Sequence, residues 1–235
     1  MAEASSPKTV LIVGASRGLG LAMAGEYLKR GWRVIGTVRG DGRTPLHDLA
    51  AEADGRVEIE RLDVTVPEQI AALRGRLDGR TIDLLFVNAG ITNSQPDQTV
   101  AQVSTDDFVK VMVTNALSPM RVLEALEDLV PPSGVLGVMS SGQGSVANNT
   151  VGMREVYRGS KAALNTFMRS FAARHQDDPR AMALMAPGWV KTDLGGPDAR
   201  LTIEESIPNL VDVLIGVQGK PGLQYLDYLG RTVPW

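Results

Sequence analysis

The chain has no cysteine and only two histidines among its 235 residues. The first absence excludes disulfides, thiol nucleophiles and thiolate metal ligands together. His47 and His175 stand isolated in the sequence, so no metal centre is expected. Neither sign of charge dominates: 24 Lys and Arg face 27 Asp and Glu, a formal net charge of -3. Nothing there calls for a nucleic-acid partner. Long apolar runs are missing too. The start, "MAEASSPKTV", is polar, and the first apolar stretch, within "TVLIVGAS", holds only five or six residues. That is too short for a signal-peptide core or a membrane span, so no membrane partner and a cytoplasmic location are expected. No internal repeat or low-complexity linker is visible. The length predicts one α/β domain over residues 8–235, after a loose tail at Met1–Pro7.

What the chain does have is alternation. "KTVLIV" (Lys8 to Val13) is apolar and ends in glycine, which fits a strand buried on both faces of a parallel sheet. "RGLGLAMAGEYLKRG" reads as a helix stopped by Gly31. "RVIGTVR", "RVEIERLDV" and "IDLLFVNAG" read as the next strands, with a helix opened by Pro67 before the last of them. A long helix is predicted over Thr105–Leu129, capped by Ser104 or Thr105, and another from Glu155 to about Gln176. "GVLGVMSS", "RAMALMAPG" and a short "GLQYLDY" complete about seven strands, with a helix from "TIEESIPNLVDVLIGV". The pattern predicts a Rossmann-type doubly wound parallel sheet with helices on both faces. Ligands in such sheets sit at the carboxyl ends of the strands.

Those ends carry a coherent set of residues. The first opens into "GASRGLG", with Gly14, Gly18 and Gly20 spaced to let a pyrophosphate approach the backbone at a helix N-terminus. A tight turn with packing glycines is the plainer reading. After the second strand stands Arg39, 25 positions beyond Gly14, where an acid would favour NAD. With Arg17 it suits a 2′-phosphate, which favours NADP(H) over NAD(H), unless both are solvated surface arginines. Asp63 in "RLDVT" can accept from an adenine amino group or cap the following helix. Asn88, Ala89 and Gly90 follow the fourth strand, and Gly90 permits close backbone approach. Ser140 and Ser141 end the fifth and point to opposite faces, so one of them faces the crevice. Pro187, Gly188 and Thr192 follow the sixth. In "EVYRGSKAALN", Tyr157 and Lys161 lie four residues apart on one helix face, a surface pair or a proton donor with its tuning charge.

Taken together, "GASRGLG", "LDV", "NAG", the Asn115 of "TNALSP", the strand-end serine, "YRGSK" and "PGWVKT" resemble the short-chain dehydrogenase/reductase family over nearly the whole chain. "SSGQGSVANN", "PGWVKTDLGG" and "DYLGRTVPW" are similar to the branch of the C-factor signalling protein and the sniffer-type carbonyl reductases. The resemblance implies an NADP(H)-dependent reductase acting on a ketone or aldehyde, or its alcohol. Tyr157 would be the general acid, Lys161 its tuning cation and ribose contact, Ser141 the polarising hydroxyl and Asn115 the anchor of a water relay. A charge on Lys161 would lower the tyrosine pKa. Ser16, Leu19, Val64 and Val190 would join the cofactor contacts. Ser141 to Tyr157 spans 16 positions, longer than the family's usual spacing, which implies a lengthened substrate loop. The candidate pocket residues are Ile91, Gln143, Met153, Trp189 and Leu194, with Trp189 open between core and ligand. They suit a moderately apolar carbonyl compound, and Arg154 leaves an acidic group open. The family also implies a homodimer or homotetramer through the two long helices. A dinucleotide-binding signalling protein with incidental reductase activity is the alternative.

Overall fold

The structure is a computed structural model, and it describes residues 6–235. The predicted tail therefore lies mostly outside the described residues, apart from exposed, irregular Ser6 and Pro7.

Strand β1 (Thr9–Val13) is buried from Val10 onward and leads into α1 (Gly18–Lys29). There follow β2 (Arg33–Val38), α2 (Pro45–Glu52), β3 (Val57–Arg61), α3 (Pro67–Arg76) and β4 (Leu84–Val87). The second half runs α4 (Thr105–Met112), α5 (Ser118–Leu126), β5 (Val135–Met139), α6 (Glu155–Arg174), β6 (Ala181–Ala186), α7 (Ile203–Gly216) and β7 (Gly222–Asp227). The strands form one sheet in the order β3-β2-β1-β4-β5-β6-β7, and every neighbouring pair is parallel. The predicted seven-stranded, doubly wound sheet is what forms.

Alternation along each strand divides the core. Leu11 and Val13 face a layer built with Ile70 and Leu73 of α3, Leu123 of α5 and Phe171 of α6. Val10 and Ile12 face the opposite layer, with Met23 and Tyr27 of α1, Leu46 of α2 and Leu210 of α7. The strand order reverses beside β1, where the chain leaves β3 to return as β4. The carboxyl ends of β1 and β4 meet there: the amides of Asn88 and Ala89 donate to the Val13 carbonyl at 2.9 and 3.0 Å.

Two elements differ from the sequence expectation. Helix α2 was not predicted. It has eight residues and buries one side chain, Leu46, so it offers no apolar period to read. Its signal is local: Pro45 in the first turn, and His47, whose Nδ1 accepts from the Thr44 amide at 3.0 Å. The predicted continuous helix over Thr105–Leu129 is broken. A π-turn at Val113–Leu117 separates α4 from α5, and a 3₁₀ turn follows at Glu127–Leu129. Pro119 supplies the reason. It has no amide for the carbonyl of Asn115, four residues earlier, and its ring crowds that carbonyl, so the backbone widens. Phe108, Leu117 and Phe167 stay exposed along these long helical segments.

Candidate active site

The glycine turn after β1 is held by contacts that leave no room for side chains. Gly14 has φ +90°, and a Cβ there would lie 3.0 Å from Ala89. A Cβ on Gly20 would stand 2.1 Å from the Gly14 carbonyl oxygen and 2.6 Å from Asn88 Nδ2. Asn88 stitches the two strand ends by donating from Nδ2 to the Gly14 carbonyl at 2.7 Å, and Thr37 Oγ1 accepts from the Gly14 amide at 2.9 Å. The first amides of α1 are thereby left at the crevice. No acid occupies its first turn, so nothing there opposes an anion. Ser16 and Leu19 lie in this turn.

The flanking strand ends surround it. Arg39 is exposed and makes no direct ion pair among the described residues, although its charge acts on Asp63. Asp63 Oδ1 accepts from the Thr65 amide and hydroxyl at 2.9 and 2.7 Å, so the aspartate closes the turn towards α3 through one oxygen. Its burial would raise its pKa, but the Thr65 bonds and the Arg39 charge outweigh that and lower it. The carboxylate is thus negative and electrostatically joined to Arg39, with Val64 buried next to it. Beyond β6, Pro187 is fixed by the Ser206 hydroxyl on its carbonyl at 2.6 Å, and Gly188 has φ +84° against Leu201. Val190 is buried and bridges to Leu201. Thr192 comes within 4.0 Å of a Cβ built on Gly18, so this loop leans over the glycine turn. Arg17, expected with Arg39 on a phosphate, pairs with Asp193 of that loop, and both side chains are exposed. Trp189 is not in the core. It is 44% exposed and donates from Nε1 to the Gly195 carbonyl at 2.7 Å, bracing the loop.

The second half of the site is built on α6. Tyr157 and Lys161 are both buried, at 7% and 2% exposure. Lys161 Nζ donates to the Met139 carbonyl at the end of β5, at 2.9 Å, and burial pulls its pKa down to about 8. A Cβ on Gly90 would come within 3.3 Å of that Nζ and 3.4 Å of Asn115 Oδ1, so glycine keeps the approach to both open. Burial raises the Tyr157 pKa, and the Ser141 hydroxyl and the Arg154 charge only partly offset it. The expected lowering by Lys161 does not occur, because the ammonium is turned to Met139 and lies 5.9 Å from the ring centroid. The phenol is therefore neutral at pH 7.

The two serines separate cleanly. The Ser140 hydroxyl donates to Asn165 Oδ1 at 2.6 Å and is buried away from the crevice. The Ser141 hydroxyl lies by Tyr157 and accepts from the Gln143 amide at 3.1 Å. Asn115 is fully buried in the π-turn. Its Nδ2 donates to the Ile91 carbonyl and the Ser160 hydroxyl at 2.7 and 3.0 Å, and its Oδ1 accepts from the Ile91 amide at 2.8 Å. Three of its four side-chain hydrogen-bonding positions are filled, which leaves one Oδ1 lone pair. Two positioning residues were missed from sequence. Asn165 donates to the Gly144 carbonyl at 3.2 Å while holding Ser140, and the Tyr225 hydroxyl donates to the Ser141 carbonyl. Asn165 was legible as a polar residue one turn beyond Lys161; Tyr225 left no local signal.

A family model described as short chain dehydrogenase matches residues 8–200. C-signal of Myxococcus xanthus is 35% identical over 156 residues, 66% of this chain and 93% of that protein. A structure described as a short-chain dehydrogenase/reductase from Burkholderia multivorans, with bound NADP, superposes with a TM-score of 0.97 at 66% identity. It covers 98% of this chain and 100% of its own. A carbonyl reductase from Pseudomonas aeruginosa PAO1 in complex with NADP gives 0.90 at 36% identity, covering 98% and 100%.

Proposed function

We propose, since this chain belongs to the short chain dehydrogenase family, that it interconverts a ketone or aldehyde and the matching alcohol with NADP(H). The observation that carries this reading is the buried, neutral Tyr157 hydroxyl beside Ser141, one helical turn from Lys161, at the edge of the glycine cradle.

The strand ends fit a dinucleotide phosphate. Gly14, Gly18 and Gly20 admit a pyrophosphate to the α1 amides. Arg39, in no direct ion pair among the described residues, suits a 2′-phosphate, and the Asp63 oxygen that has no hydrogen bond among them suits an adenine amino group. Gly188 and Thr192 would close over the far end, and Gly90 leaves space beside Lys161. Both structural relatives described above hold NADP, which agrees with this assignment. Bound NADPH supplies a hydride to the substrate carbonyl carbon.

The chain's own residues manage the proton and the charge. Tyr157 carries its proton at neutral pH, because burial disfavours the phenolate, and gives it to the carbonyl oxygen as negative charge develops there. Ser141 donates to the same oxygen and orients it. Lys161 is anchored to the Met139 carbonyl, which fixes the height of its ammonium along α6. A water held at Asn115 would reload the tyrosine through Lys161.

Replacing Tyr157 by Phe removes only the hydroxyl. We expect NADPH-dependent reduction of a panel of aldehydes and ketones to fall by about 10²–10⁴-fold, while fluorescence titration shows NADPH binding retained. Turnover that survives the substitution would sink the assignment of the acid.

A further inference from the structure

The lengthened loop between Ser141 and α6 ends in unusual backbone. Gly152, Met153 and Arg154 have φ of +68°, +53° and +54°, three successive residues in the left-handed region, of which only the first is glycine. Side-chain-bearing residues stay there only where their surroundings enforce it. Here Arg158 enforces it: its Nε donates to the Met153 carbonyl at 2.8 Å and its amide to the Arg154 carbonyl at 2.9 Å. The outcome is a fixed place for the Arg154 guanidinium, whose Cζ lies 5.2 Å from the centroid of the Tyr157 ring.

The protein itself leaves that guanidinium poorly matched. Nε is buried and has no hydrogen-bond partner among the described residues. Its one bond runs from Nη2 to the Leu194 carbonyl at 3.5 Å, the outer limit of a hydrogen bond, and reaches across to the loop after β6. The carboxylates next to Arg154 and Leu194 in the chain are engaged elsewhere. Glu155, the next residue, accepts from the Val100 amide at 2.7 Å, and Asp193, next to Leu194, pairs with Arg17. A guanidinium offers five donors in a planar fork that matches a carboxylate in two-point fashion. A buried donor left without a partner calls for explanation by a ligand or strain. Gln143 Oε1, on the same loop, is likewise buried and unpartnered.

We infer that Arg154 is the anion-binding residue of the substrate pocket, and that the carbonyl substrate carries a carboxylate. The acid group sits on the Arg154 fork while the carbonyl reaches Ser141 and Tyr157. This rests on the reading of those two residues as the carbonyl site. A purely electrostatic role for Arg154 on the Tyr157 phenol would act alike on charged and neutral substrates, which separates the two ideas.

The test reads binding without turnover. Titration calorimetry on protein saturated with NADP+ would compare hexanoate with hexanamide, and 3-phenylpropionate with 3-phenylpropionamide. The carboxylates are expected to bind at least tenfold tighter than their amides. Arg154→Gln should erase that preference, and Arg154→Lys should keep part of it as a point charge. Equal affinities in the unaltered protein, no detectable binding of the carboxylates, or a preference that survives Arg154→Gln would each overturn the inference. Because no reaction is needed, a chain that binds carboxylates but reduces no carbonyl would refute the proposed reaction and leave the anion site standing.

Discussion

Lys161 is an ammonium with one carbonyl bond and no carboxylate beside it among the described residues, buried to 2% exposure. Desolvation disfavours its charged form and brings its pKa to about 8 from an ordinary 10.5. The sign of the stability effect follows. Between pH 8 and about 10 the unfolded chain keeps a proton that the folded chain has released, so stability rises with pH across that window. Above about pH 10 Tyr157, whose folded pKa is raised, acts in the opposite direction. From pH 7.5 to 9.5 the unaltered protein should gain up to about 2 kcal/mol relative to Lys161→Met, read as the difference in urea midpoints. Parallel pH curves for the two proteins would show that Lys161 is not titrating there. The spacing of Tyr157 and Lys161 was readable in the sequence; the direction of the Tyr157 shift was not. Charge pairing is a local inference, whereas desolvation depends on Val156, Leu164 and the sheet above them, which only the fold brings together. Arg17 teaches the same lesson, since its partner Asp193 is 176 positions away.

At the level of elements, the site depends on how the turn at Ser141–Gly144 lies against α6. Asn165 holds it from both sides, through Ser140 just before it and the Gly144 carbonyl at its end, and Tyr225 of β7 holds its start at the Ser141 carbonyl. Gly144 lets the turn touch the helix: a Cβ there would stand 2.9 Å from Lys161 Cβ and 3.0 Å from the Lys161 backbone. Backbone and Cβ cannot swing aside as a flexible side-chain end can. Gly144→Ala should therefore push Ser141 away from Tyr157 and lower kcat by at least about tenfold, since an ångström of misplacement can cost 10²-fold. NADPH affinity, read by fluorescence titration, should hold, because the glycine cradle is on other strands. A variant with full kcat would mean that the turn has slack. The sequence revealed every strand: β1 as a continuous apolar run ended by glycine, β3 by its alternation. It concealed the π-turn, although Pro119 set four residues after Asn115 carries the cause. It concealed α2 because one buried leucine makes no stripe.

Across the whole molecule, the proposed cofactor contacts run from Gly14 after β1 to Thr192 after β6, on strands that are three neighbours apart in the sheet order. A ligand spanning them stabilises both halves of the sheet at once, and only in the folded state. At 100 times its Kd such a ligand adds about 2.7 kcal/mol, which for a chain of this size raises Tm by roughly 5–10 °C. Arg39 should make the two reduced cofactors unequal, because only NADPH has a phosphate for it. A tenfold affinity difference is about 1.4 kcal/mol, so at equal saturating concentrations NADPH should raise Tm by roughly 3–5 °C more than NADH. Arg39→Asp places an acid where a ribose 2′-hydroxyl would meet it. Scanning calorimetry on that variant should show the gap closed or reversed, with the melting temperature of the unliganded protein lowered only slightly, since Arg39 is exposed and acts on Asp63 only through its charge. If NADPH and NADH stabilise the unaltered protein equally, Arg39 does not read the phosphate.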